Sequence, residues 1–251
     1  MNWNNGWPVI GIDNDGDGCG EPVSKYRKPK SNYNSKTCIV TLPDSDEFNT
    51  ENIGMQWNWH ANYNPTFGFP TNMGFMRLYS YRDSINNLWK VPSLFLQKFM
   101  SEEFTATTKL SFASKSQGER AGLLIMGWDY SYISLIRNND NFDLVKVTCY
   151  DAEQGGAETI EPVVKGLNGN YREGGAIPSL NIDIWFRVKV EKNAICTYYY
   201  SLDGKKYSEI KGSFKAKQGK WIGAKVGLFI INPDLKTDNG WLDCDWFRVT
   251  K

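Results

Sequence analysis

Period-two alternation of apolar and polar residues runs through this chain and restricts its fold more than any other feature. In "IDIWFRVKVE" (182–191), Ile182, Ile184, Phe186, Val188 and Val190 point one way, and Asp183, Trp185, Arg187, Lys189 and Glu191 the other. Successive side chains of a strand alternate between faces, so this is a half-buried strand. "EFTATTKLSF" (103–112) repeats the pattern with Phe104, Ala106, Thr108, Leu110 and Phe112. Further strands are predicted at 74–81, 121–128, 131–138, 142–150, 194–202, 224–231 and 243–250. No segment carries a convincing helical period. "RNNDN" (137–141) and "LDGKK" (202–206) supply hairpin connections, with Asp203-Gly204 the stronger signal. The stretches 151–158 and 165–178 read as loops. Short strands with polar turns specify an antiparallel β-sandwich.

The first residues differ. "VSKYRKPKSNYNSK" (23–36) is basic, polar and poor in core residues, which marks a linker. The sandwich is placed from Thr37 to Lys251, leaving residues 1–22 without a core of their own. With 29 Lys+Arg against 28 Asp+Glu, net charge is +1, so there is no electrostatic footprint for nucleic acid or an anionic membrane. No apolar run approaches a bilayer span. The five cysteines are scattered without a C-x-x-C pair, which argues against a zinc or redox motif. They leave the compartment open; an extracellular or periplasmic setting is favoured over a cytoplasmic one.

Asp13, Asp15 and Asp17 in "DNDGDG" match the first, third and fifth positions of an EF-hand loop, with Gly18 at the sixth. The twelfth position is Ser24 rather than a bidentate glutamate, so a Gly/Asp-rich tight turn is the expected reading. "NIDIWF" (181–186) invites comparison with glucanase strands. A retaining glycosidase needs two carboxyls roughly 5–5.5 Å apart, and Asp183 has only Asn181 and Trp185 beside it on its face. Glu102 and Glu103 are adjacent and point apart. His60 is the single histidine and no triad can be argued from it.

Two groups remain as binding candidates. In "MQWNWHANYNPTFGF" (55–69), aromatics are interleaved with amides. Trp57 and Trp59 share one strand face; Gln56, Asn58 and His60 share the other. Stacking platforms beside hydrogen-bonding amides suit sugar recognition, which selects Trp57, Trp59, His60, Asn62 and Tyr63, with Trp128 and Tyr130 as neighbours. Separately, Asp46 and Asp243 or Asp245 lie near the two ends of the sandwich. First and last strands commonly neighbour each other, so these carboxylates are candidate calcium ligands.

The "QWNW" segment, "LYSYR", "LFLQKF" with "EFTATTKLSF", "ERAGLLIMGWDYSYISL" and the closing "DCDWFRV" together resemble the C-terminal β-sandwich of family 43 glycoside hydrolases, β-xylosidases and α-L-arabinofuranosidases. The resemblance covers about residues 37–251. It implies a jelly-roll sandwich of the concanavalin-like lectin and glucanase type, treated as a family 91 carbohydrate-binding module. It implies xylan or xylo-oligosaccharide as ligand and a family 43 catalytic domain as partner in the parent enzyme. "GWPVIGIDNDGDGCGEPV" (6–23) then looks like the tail of the catalytic propeller, whose catalytic residues lie upstream of it. The expected function is a noncatalytic glycan-binding module; the alternative is a structural accessory domain that docks on the active site of a β-xylosidase or arabinofuranosidase and shapes it without independent glycan binding. The resemblance also implies a structural calcium at Asp46, Asp243 and Asp245. It matches the loop around Lys98–Glu103 to the one that closes the parent's pocket, without the family's aromatic next to the strand.

Overall fold

A computed structural model describes residues 2–4, 6–26, 41–82, 87–173, 178–233 and 239–251. The chain divides into two compact units, Met1–Thr41 and Leu42–Lys251. Most of the expected linker and the expected sandwich start at Thr37 lie outside the described residues. In the first unit, β1 (Asn2–Asn4) and β2 (Trp7–Val9) pair antiparallel. Reciprocal hydrogen bonds between Ile12 and Glu21, 3.2 and 2.9 Å, then close the loop that carries the aspartates.

The second unit holds β3 (Trp57–Trp59), β4 (Gly68–Pro70), β5 (Met76–Tyr79), β6 (Tyr81–Arg82), β7 (Phe95–Lys98), β8 (Phe104–Ser114), β9 (Arg120–Met126) and β10 (Tyr130–Asn138). It continues with β11 (Asn141–Cys149), β12 (Glu158–Asn168), β13 (Asn170–Arg172), β14 (Ser179–Glu191), β15 (Ile195–Ser201), β16 (Ser208–Lys215), β17 (Lys225–Asn232) and β18 (Trp241–Thr250). Among the described residues the only helical pieces are three single 3₁₀ turns. One eight-stranded sheet has the order β12-β11-β10-β9-β17-β7-β3, with β6 beside β17; the other runs β16-β15-β14-β8-β18-β5-β4, with β13 beside β14. Every pairing is antiparallel except β6 with β17. The unit is the sandwich that the alternation specifies.

The inward faces follow the pattern read from sequence. Ile184, Phe186, Val188 and Val190 of β14 meet Phe104, Ala106, Leu110 and Phe112 of β8 in a core shared with Leu123, Ile133 and Leu228 of the first sheet. A second apolar cluster covers the other side of the first sheet. There Leu88, Val91 and Leu94 pack on Leu124, Met126, Tyr132 and Phe229. The first sheet is thereby buried on both faces. The outer face of the second sheet is half-open and carries Arg77, Lys109, Ser111, Asp183, Trp185, Arg187 and Asp243.

The predicted hairpin at Asp203-Gly204 forms. Gly204 has φ +71, and the Asp203 carboxylate accepts the Lys205 and Lys206 amides at 2.8 and 2.9 Å. Those amides pull the Asp203 carboxyl down to about 2. Two strands contradict the loop reading of 165–178: β12 runs on to Asn168, and β13 occupies Asn170–Arg172. The upstream half of β12, and β4, β7 and β16, also lie outside the predicted strands. β12 is an edge strand, mostly exposed on both faces and carrying Pro162 and Gly166, so it has no alternation to read.

Candidate functional site

The structure divides the aromatic candidates sharply. Trp57 is only 7% exposed. It stacks on Phe95 (centroids 4.3 Å, planes 12° apart), meets Phe247 edge-on at 5.1 Å, and donates from Nε1 to Asp46 Oδ2 at 2.9 Å. Tyr130 is 0% exposed; its hydroxyl donates to Glu158 Oε1 at 2.8 Å and accepts the Leu88 amide at 3.0 Å. Neither ring offers a face to a sugar, which corrects both assignments. Trp57 and Trp59 do share a strand face, but that face points into the core. Trp59 is wedged between Phe95 and Phe67, with its outer side stacked on the exposed Tyr63 at 5.6 Å. His60 Nε2–H donates to the Trp89 carbonyl at 3.0 Å, and burial pushes its basicity down. Asn62 is exposed.

At the expected calcium site, each carboxylate already has protein partners. The segment at Asp46 does lie against the last strand, through reciprocal 2.8 Å bonds with Phe247. Its carboxylate, however, accepts the Phe48 amide, the Gln56 amide and the Trp57 indole. Asp243 sits opposite Arg77 in the β5–β18 register and takes two bonds from it, at 2.7 and 2.8 Å. Burial still pushes the Asp243 carboxyl above its ordinary range, against the pull of Arg77. Asp245 accepts Lys109 Nζ at 2.9 Å. Asp46 is bonded to neutral donors beside the core, Asp243 and Asp245 to the cations Arg77 and Lys109, and among the described residues the three are not gathered as a ligand group. These residues do not fit a calcium ion.

Among the described residues, the metal-type group that does converge is Asp13, Asp15 and Asp17, with carboxylate oxygens within 4.8 Å of one another. These carboxylates cap their own loop. Asp13 accepts the Gly16 and Gly18 amides at 2.7 and 3.1 Å, and Asp17 accepts the Cys19 amide at 2.7 Å.

Of the two aromatic candidates with exposed rings, Tyr63 at 53% and Trp128 at 39%, Trp128 is the one that sits in a cleft. It lines a cleft of about 280 Å³ with Asp151, Glu153, Gln154 and Lys217. The cleft is assembled from three distant stretches. The Trp128 amide donates to the Gln218 carbonyl at 3.1 Å, and its own carbonyl accepts the Ala152 amide at 2.9 Å. Buried Asp129 joins the walls: one oxygen accepts the Asp151 amide at 2.8 Å and the other holds Lys217 Nζ at 2.7 Å. That carboxylate raises the Lys217 ammonium above its ordinary pKa. Glu153 is paired with Lys220 at 3.0 Å. A half-open indole ringed by a carboxylate, an amide and an ammonium can stack one face of a ring while exchanging hydrogen bonds with its edge. Asp129, Asp151, Glu153, Gln154 and Lys217 escaped the sequence reading because no spacing links them; the "WDY" run around Asp129 was the nearest signal.

Residues 45–250 match the sequence model of the β-xylosidase C-terminal concanavalin A-like domain. The chain belongs to this family. Within the β-xylosidase C-terminal family context, a β-xylosidase of Formosa agariphila is 28% identical over 269 residues, covering 98% of this chain and 41% of that protein. A relative from Xylanibacter ruminicola is 28% identical over 230 residues, covering 90% of this chain and 37% of its own length. The chain thus spans about two fifths of these relatives. Among solved structures, a xylan β-1,4-xylosidase of Bacillus halodurans superposes with TM-score 0.65 at 17% identity over 100% of this chain and 46% of its own. A family 43 protein of Bacillus licheniformis gives 0.62 at 19% identity over 88% of this chain and 40% of its own. These likenesses establish the concanavalin-like fold of the C-terminal domain.

Proposed function

We propose that this chain is a noncatalytic carbohydrate-binding module that engages plant cell-wall glycan of the xylan or arabinoxylan class. The observation that carries the reading is the Trp128 cleft, in which an available indole face is surrounded by unlike hydrogen-bonding groups. The names of the relatives supply the glycan class. Asp183 offers one carboxylate where glycoside hydrolysis needs two, which supports a binding role over a catalytic one. Affinity electrophoresis of the isolated chain through gels containing soluble xylan tests this. Retardation that weakens in Trp128→Ala is expected; a well-folded parent chain that migrates unretarded refutes it.

A second reading is favoured by a separate observation. Trp221, at 93% exposure with φ +71, stands with half-exposed Ile222 on the hairpin turn closed by Gly219 and Gly223. An apolar tip presented to solvent suits docking on another protein surface. With two fifths of a β-xylosidase's length in hand, that surface is a family 43 catalytic domain, whose active site the tip would help shape. Under the docking reading Trp221→Ser weakens association with a separately expressed catalytic domain, and the folded isolated chain shows no xylan retardation; retardation that Trp221→Ser leaves intact favours the binding module.

A further inference from the structure

We propose that a notch in the second sheet is a separate sugar subsite, built for one or two neutral sugar rings. The notch arises from strand lengths. β15 pairs with β14 only from Trp185 onward, and β13 pairs with it only at Ser179–Asn181. Residues 182–184 therefore have no strand on that flank. The gap opens a cleft of about 460 Å³ lined by Asn168, Asn170, Arg172, Asn181, Asp183 and Leu202, within the range of small-ligand sites.

The polar groups in this notch are largely unspent. Among the described residues, the side chains of Asn168 and Asn170 have no hydrogen-bond partner, and the charge of Arg172 also acts on the Asp243 carboxylate. Asn181 uses its Nδ2 on Ser179 and the Asn170 carbonyl, which leaves its Oδ1 open. Asp183 accepts Ser111 Oγ at 2.6 Å with one oxygen and keeps the other. Amides, a guanidinium and a carboxylate side by side offer donors and acceptors in alternation. Sugar hydroxyls, which each donate and accept, match that inventory. Leu202 and Ile182 supply the apolar part of the lining. Arg172 and Asp183 carry opposite charges, so neither an acidic nor a basic ligand is favoured over a neutral one. The same outer face continues from Asn181 across Ala113 to Trp241 and Tyr79 in the strand register, a row along which a longer glycan chain would extend.

This subsite rests on the glycan-binding reading for its ligand class, and the test separates the two. A neutral linear xylo-oligosaccharide is titrated into the full chain, followed by calorimetry and by the side-chain amide NMR signals. We expect the Asn168, Asn170 and Asn181 amides to shift, and Asp183→Ala to weaken binding at this site about tenfold, the scale of one hydrogen bond to a charged group. Trp128→Ala should leave those shifts in place. Asp183 is exposed, so its variant should melt with the parent. If Trp128→Ala abolishes all binding and the three amides never move, the subsite is refuted while the module reading stands. If only an oligosaccharide bearing acidic substituents moves them, the neutral ligand class is refuted. If the folded parent binds no xylo-oligosaccharide, both fall.

Discussion

Replacing Trp57 by alanine separates a core tryptophan from a sugar platform. The indole is buried, stacked on Phe95 at 4.3 Å, edge-on to Phe247 at 5.1 Å, and bonded to Asp46 at 2.9 Å. Truncating a buried Trp to Ala costs about 3–5 kcal/mol through lost transfer energy and the cavity left behind. Losing the indole donor to the Asp46 carboxylate adds about 1 kcal/mol. For a domain of this size, at about 2–4 °C per kcal/mol, the melting temperature should fall by about 10–20 °C. Trp57→Phe keeps most of the stack and loses the donor, so it should fall by about 3–6 °C. Trp128→Ala removes a half-open ring and should cost under about 1 kcal/mol. Circular-dichroism melts of the three variants, with xylan affinity gels beside them, read both properties. If Trp57→Ala melted within 3 °C of the parent, by the same scale, and lost xylan retardation, Trp57 would be a platform and its core placement would be wrong.

Arg120→Ala leaves Glu158 buried without its 3.0 Å partner and should destabilise by about 3–5 kcal/mol; adding Glu158→Gln should recover part of that, which a urea double-mutant cycle measures. Burial holds His60 below its ordinary value of 6.5, so the unfolded chain binds its proton first as pH falls. Its contribution is complete above about pH 6.5 and is lost on acidification towards the folded value, at no more than about 1.4 kcal/mol per pH unit. Urea melts at pH 7.5 and about pH 5.5 should therefore differ less for His60→Gln than for the parent, and equal pH dependence would refute the assignment. A chelator should leave the melting temperature within about 1 °C, because Arg77 and Lys109 already neutralise Asp243 and Asp245. A fall of several degrees would mean that an ion displaces them.

Much of the fold was legible because strand faces are written in period two. The inward set of β14, the Asp203-Gly204 turn and the proximity of Asp46 to the last strand all follow from local pattern or from general sandwich topology. The candidate sites were less legible. Trp57 and Trp59 were correctly placed on one face, yet an aromatic face serves equally as core or as platform, and the sequence carries no mark of which. β12 and β13 were missed because these two strands are largely exposed on both faces and show no alternation. With them went the notch, which exists only because β13 stops short of β15.

What the sequence by itself determined is the set of two-faced strands, the sandwich they must form and the family they belong to. Those are consequences of local chemistry, namely alternation, turn propensity and colinear motifs. Tertiary structure alone decided which face of each strand is covered. The segment around Leu88–Leu94 folds over the first sheet and buries Tyr130, while the outer face of the second sheet stays open around Asp183. It also decided that buried Asp129 should gather Asp151 and Lys217 around Trp128. The reason is that burial and convergence arise from pairings between residues far apart in the chain, and a periodicity of two residues holds no record of them.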